Sequence, residues 1–207
     1  MSILCNKLRI IFCTFIALPT MAAAAQVFKC ILVLNIHCWI HQVLVFAMEL
    51  SLQRVEQTSE PDLIDATGLR VMKFNRTTAV LNGTMFITKD LDDLFEFRIT
   101  VAYSRIVNNQ FVEYPMKIAR EKVCNVLNGS YREYQHLWAG TTNFPQITGS
   151  ERYCPLPRGV YWVKNYAPDA TWVPPMVPEG LWRMSLDIFS ADGRLMAQLR
   201  SYTWLRK

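Results

Sequence analysis

The segment Phe95-Glu96-Phe97-Arg98-Ile99-Thr100-Val101-Ala102-Tyr103 sets an apolar or aromatic residue at every other position, with charged, polar or small residues between. Side chains of an extended chain point to opposite faces in turn, so this alternation predicts a strand with one dry face and one wet face. Working outward from it, short apolar segments recur at Leu69 to Phe74, Thr78 to Ile87, Val160 to Tyr166, Leu181 to Phe189 and Leu195 to Trp204, separated by turn residues. Short strands at even spacing are the signature of an antiparallel sandwich or barrel. Asn82-Gly83 is a candidate turn inside the second of these segments. Asn108-Asn109 reads as a hairpin between Phe95 to Val107 and Gln110 to Tyr114, and Asp192-Gly193 is the strongest hairpin signal in the chain.

Two stretches depart from this pattern. Ala119, Val123, Val126, Leu127, Tyr131, Tyr134 and Trp138 recur at three- and four-residue steps, which predicts an amphipathic helix over Met116 to Trp138, interrupted near Gly129. Trp172 to Trp182 carries Pro174, Pro175 and Pro178 and cannot be a central strand. It is expected to be a long apolar loop, with Trp172, Met176 and Val177 either at the entrance of a ligand site or folded over one end of a core. The expected fold is therefore all-β: a two-sheet antiparallel sandwich or cup with one helix and a long Pro-rich loop.

The chain has 207 residues, 51% hydrophobic and 19% charged, which excludes a disordered or low-complexity protein. Its formal surplus of five positive charges includes three, Lys7, Arg9 and Lys29, within the first 47 residues. No basic run stands out beyond Arg206-Lys207, so no nucleic-acid partner is expected. The first 47 residues read as a targeting region. Lys7 and Arg9 precede the apolar run Ile10 to Leu18, with small residues Ala22 to Ala25 after it. A second apolar run, Ile31 to Met48, contains Asn35, His37, His41 and Gln42 and ends at Val45-Phe46-Ala47. Either cleavage follows Ala25, or Met21 is the working start and cleavage follows Ala47. The second is favoured, because four polar side chains make a poor membrane span. The folded domain is then 48–207, delivered to the secretory route and expected outside the cell. Retention through residues 31–48 as an anchor is the minor alternative.

Cys5, Cys13, Cys30 and Cys38 fall inside the targeting region, leaving Cys124 and Cys154. An isolated pair in an oxidising compartment is expected to form a disulfide. Three sequons, at Asn75, Asn82 and Asn128, agree with secretion, and each would have to lie on the surface if it carried a glycan. Signals for catalysis are scarce. His37-x-x-x-His41 has metal-ligand spacing but lies in the targeting region, and His136 reads as a solvated surface residue. Asp90, Asp92, Asp93 and Glu96 lack the Gly and spacing of a calcium loop and read as a solvated turn. There is no GxSxG, P-loop, HExxH or GxGxxG, so neither an enzyme nor a cofactor is expected.

A two-sheet sandwich either fills its interior or leaves it open around an apolar ligand, and the same residue types line both. One ordered set of motifs bears on this. K-F-N-R-T-T at Lys73 to Thr78, L-N-G-T at Leu81 to Thr84, L-D-D-L-F-E-F at Leu91 to Phe97 and T-N-F-P at Thr142 to Pro145 belong to it. So do C-P-L-P-R-G-V-Y at Cys154 to Tyr161 and G-L-W-R at Gly180 to Arg183. From about Glu49 to Trp204, the chain resembles an insect family of secreted proteins of unknown function that includes contact-chemosensory proteins. That family is in turn similar in fold to the ganglioside-activator and MD-2-related lipid-recognition proteins. The resemblance implies a β-cup that binds, lifts or presents a lipid without catalysis. It also implies a possible receptor partner and at most transient membrane contact. Two cysteines in place of several disulfides, and the long N-terminal region, depart from the ganglioside-activator pattern. On this reading Phe86, Phe97, Ile99, Val101, Trp162, Met184, Leu186 and Leu199 line the cup. The competing readings are a secreted interaction or structural glycoprotein with a filled sandwich, and a hydrolase with a carboxylate pair on a concave face.

Overall fold

A computed structural model of the protein describes residues 48–76, 78–106 and 110–207. Met48–Lys207 clusters as one unit, and the targeting expectations for residues 1–47 lie outside the described residues. The alternating segment forms β5 (Phe95–Ser104), which lies between β6 (Val112–Lys122) and β8 (Gly180–Ser190). Beyond β8 come β9 (Leu195–Arg206) and β1 (Glu49–Gln57), giving a five-stranded antiparallel sheet in the order β1-β9-β8-β5-β6. The second sheet is centred on β4 (Ala79–Ile87). One of its edges pairs with β3 (Arg70–Lys73) and β2 (Ile64–Asp65) in succession, and the other pairs with β7 (Gly159–Tyr166). The result is an all-β antiparallel sandwich.

The alternation in β5 sets which face is buried. Phe95 and Phe97 point to one core cluster, and Ile99, Val101 and Tyr103 to another. The intervening Arg98 faces away, where its guanidinium donates two hydrogen bonds, of 3.1 and 2.6 Å, to Asp187 directly across on β8. Asp187 is only 1% exposed, and Gln198 donates to its other oxygen at 2.7 Å. A slip of one residue in the β5–β8 register would put this ion pair into the core, so the register is strongly specified.

The six strands predicted from Leu69 to Phe74, Thr78 to Ile87, Phe95 to Tyr103, Val160 to Tyr166, Leu181 to Phe189 and Leu195 to Trp204 are present with shifts of a residue or two at their ends, while Gln110 to Tyr114 is the start of the longer β6. Asp192-Gly193 makes the β8–β9 hairpin, with Gly193 at φ +86° and its N–H donating to Ser190 at 2.8 Å. Four expectations need correction or extension. Asn82-Gly83 is no turn. β4 runs through it, with Gly83 at φ +132°, and a Cβ there would sit 2.2 Å from the Gly68 carbonyl oxygen, so glycine is needed for a close passage of chain. The helix is shorter than expected, because Met116 to Lys122 continues β6 against β5, with Ile118 opposite Ile99. Of that stretch, residues 123–138 are helical, as α-helical turns Val123–Val126 and Arg132–Tyr134 around a π-helical Leu127–Tyr131, closing in the 3-10 turn Gln135–Trp138. Gly129 breaks the helical backbone at φ −103°, ψ −107°, as its position suggested. Third, β1 and β2 precede the segments the pattern identified, and a bulge between Leu52 and Arg54 hides the alternation of β1. Finally, the Asn108-Asn109 hairpin lies outside the described residues.

Candidate ligand cleft

The interior divides into two halves along the strands. One is filled. Leu63, Ile64, Ile87, Val123, Leu127 and Ile188 are all at most 4% exposed there, drawn from both sheets and the helical segment. Cys124, fully buried on that segment, is joined by a disulfide to Cys154 across a Cα–Cα distance of 5.5 Å. Asn128 fixes the same region, donating to the carbonyl oxygens of Cys124 at 2.6 Å and Tyr153 at 2.9 Å. Its Oδ1 accepts from the Tyr153 N–H at 2.8 Å.

The other half holds an apolar cleft of about 230 Å³. Its floor is the inner face of β8 and β9, where Met184 lies opposite Ser201 and Trp182 opposite Thr203. Leu50 and Leu52 of β1 and Leu81 of β4 form its walls, and Met116 of β6 and Tyr166 at the end of β7 also line it. The Pro-rich loop covers it through Trp172, Val173 and Val177. That loop is pinned despite its prolines. The indole N–H of Trp182 donates to the Pro178 carbonyl at 3.1 Å, and Lys207 Nζ donates to that of Pro175 at 2.7 Å. Val173 and Val177 close turns onto Ala170 and Pro174, both at 3.0 Å. No charged side chain lines the cleft. Burial, with the nearby Asp169 carboxylate second, pushes the Tyr166 phenol above its ordinary value, so it stays a neutral hydroxyl.

Of the eight residues expected to line the cup, the cleft takes one, Met184. Val101 is buried and Ile99 partly buried in the apolar cluster next to the cleft. Phe97, Leu186 and Leu199 pack against the filled half instead. Phe86 and Trp162 do not face the interior. The β4–β7 register sets Met85 opposite Tyr161, both buried, which turns Phe86 and Val160, and Thr84 and Trp162, outward. Within the loop, Trp172 and Val177 do line the cleft, while Met176 is 81% exposed. Residues that sequence reasoning missed include Leu50, Leu52, Leu81, Ser201 and Thr203. A signal existed for the last two: hydroxyl residues at alternate positions between Leu199 and Leu205, on the face that those leucines share.

The remaining candidates are placed plainly. Asp90 accepts the Arg158 N–H at 2.7 Å, Asp92 the Leu94 N–H at 2.9 Å, Asp93 meets Arg152 at 3.1 Å, and Glu96 pairs with Arg120. The acidic cluster is thus a turn whose carboxylates are engaged. Among the described residues, no group of three or more His, Cys, Asp or Glu could hold a metal, and no helix is long and apolar enough to cross a membrane. His136 is exposed, with Nδ1 2.9 Å from the Glu133 carbonyl oxygen. Asn75 is exposed, with Oδ1 accepting from the Thr78 N–H at 2.7 Å. Asn82 pairs with Asn165 across the strands, donating from Nδ2 at 3.2 Å and accepting the Asn165 N–H at 2.9 Å.

No curated protein matches the chain. Residues 97–184, from β5 through the helical segment, the disulfide and the Pro-rich loop into β8, match the model of a family described as a protein of unknown function, DUF1091.

Proposed function

We propose that this protein is a secreted, non-catalytic binder of a slender apolar ligand, a lipid or hydrophobic semiochemical, held between its sheets under the Pro-rich loop. One observation carries the reading. Met184 occupies an inner-face position of β8, a strand paired on both sides, yet it is 44% exposed, because the space above it is the cleft and not packed side chain. Inner faces of sandwiches are ordinarily buried against the opposite sheet. Each methylene that a ligand buries there contributes about 0.8 kcal/mol before association costs. No cofactor is required. The Cys124–Cys154 disulfide supports delivery to an oxidising compartment. There, glycans are expected at Asn75 and Asn82 but not at Asn128, whose amide donates two hydrogen bonds inside the fold. Glycopeptide mass spectrometry of the secreted protein reads this directly.

A second reading, a secreted interaction glycoprotein with a filled sandwich, is favoured by size. The cleft's volume of about 230 Å³ falls below the roughly 300 to 1,000 Å³ typical of small-molecule sites. The full chain expressed through the secretory route of insect cells separates the two. Native mass spectra before and after soaking with long-chain alcohols, esters and hydrocarbons should show ligand adducts, and Met184→Trp, which fills the cleft, should abolish them. Persistently clean apo spectra would establish the filled-sandwich reading instead.

A further inference from the structure

Resting on that binding reading, we infer that the cleft selects a neutral amphiphile, an apolar chain bearing one hydrogen-bonding group such as an alcohol, ester or aldehyde, in preference to a fatty-acid anion or a plain hydrocarbon. The inference comes from which polar groups the cleft contains and which it lacks.

Three hydroxyl side chains line an otherwise apolar surface: Ser201 and Thr203 on the β9 floor, and Tyr166 at the end of β7. Ser201 and Thr203 are two residues apart on one face of a strand, which places them as neighbours about 7 Å apart. Among the described residues, none of the three hydroxyls has a protein hydrogen-bond partner, in contrast to Thr58, Thr67 and Ser190 elsewhere on the molecule. Half-buried positions on the inner face between Leu199 and Leu205 would otherwise suit valine or alanine. A hydrocarbon seated over these hydroxyls would take water away from them and return nothing, whereas an alcohol or ester oxygen would replace the lost hydrogen bonds.

A carboxylate is disfavoured for the opposite reason. The lining contains no Lys, Arg or His, and an ion moved from water into apolar surroundings without a cation loses far more solvation than one or two hydroxyls restore. Of the cations near this end of the sandwich, Lys207 is held on the Pro175 carbonyl, and Arg206 lies over the Trp204 ring. The other two polar side-chain atoms of the lining residues are the indole nitrogens of Trp182, already donating to Pro178, and of Trp172, whose side chain is partly in solvent.

The test is a set of four ligands of one chain length, decane, decanol, decyl acetate and decanoate at pH 8, each displacing a fluorescent apolar probe from the full secreted chain. Decanol and decyl acetate should displace it at roughly three- to ten-fold lower concentration than decane, the worth of one net hydrogen bond, and decanoate should be the weakest. In Ser201→Ala/Thr203→Val, the advantage of alcohol over alkane, each measured against that variant's own probe affinity, should shrink toward one. Ser201→Ala and Thr203→Val made singly, each checked by its unfolding midpoint, serve if the double variant fails to fold. Equal affinity for alkane and alcohol, a preference for decanoate, or an alcohol preference that survives the double variant would overturn the inference while leaving apolar binding intact. Failure of the probe itself to bind would overturn the binding reading beneath it.

Discussion

Ile188 and Met184 lie on the same face of the same strand, four residues apart, yet one is 2% exposed and the other 44%. The difference comes from what the opposite layer supplies at each end. Over Ile188, the second sheet is backed by the helical segment and by Leu156 and Ile147 from the connecting chain, so every inner-face residue finds apolar partners. Over Met184, the second sheet supplies Leu81 and Tyr166, and the remaining cover is a loop rich in proline. Its backbone cannot lie down as another strand, because each proline removes a ladder donor. The contrast between the halves is therefore one of covering layer, since β8 and β9 run through both.

The comparison breaks most readily through the core. Leu63→Ala, in the filled half at 1% exposure, should cost about 2 to 5 kcal/mol in denaturant unfolding, whereas Met184→Ala should cost under about 1 kcal/mol. Equal costs would mean that the cleft is packed like the rest of the interior. The disulfide lies in the filled half, and Cys124 and Cys154 are 30 residues apart in sequence. Replacing both with Ser should lower stability by roughly 3 kcal/mol. It should also leave displacement of an apolar probe from the cleft nearly unchanged at temperatures where the variant stays folded, measured on the two proteins side by side.

The smallest effect is one of pH, and it is shared by both halves. Burial raises the phenols of Tyr131, Tyr153 and Tyr161 in the filled half and of Tyr166 beside the cleft. A raised folded value means that the folded state holds the proton longer than the unfolded chain. The associated stability is thus fully present below the unfolded tyrosine value of about 10 and is lost as pH rises past it toward the folded value. Unfolding midpoints measured from pH 8 to 11 should fall above about pH 10, and Tyr161→Phe should blunt that fall. A midpoint flat across this range would remove the burial argument for these rings.

The acidic turn and the disulfide were legible because each depends on local chemistry. Asp92 caps a backbone N–H two residues away, and Cys124 and Cys154 are the two cysteines from Met48 onward. The helical period, by contrast, begins in the sequence before the helix does. Ala119 and Val123 satisfy a four-residue step, but pairing of Ile118 with Ile99 gives the chain before Val123 a sheet edge to join, and that long-range partner overrides the local period. The cleft residues were the least legible. Phe86 and Trp162 are aromatic strand residues that composition would send inward, yet the register of β4 on β7 faces them to solvent, and strand parity cannot be anchored without knowing which neighbour is buried.

By itself the sequence determined most of the strands from Leu69 onward, the β8–β9 hairpin, the break at Gly129 and the pairing of Cys124 with Cys154. Each is written in the spacing of a few neighbouring residues or in the count of cysteines from Met48 onward. Only the tertiary structure decided which end of the sandwich is filled, which side of β4 faces in, and that Ser201 and Thr203 look into an apolar space. Those outcomes follow from the stacking of two sheets brought together from distant parts of the chain, where a shift of a single residue exchanges inside for outside.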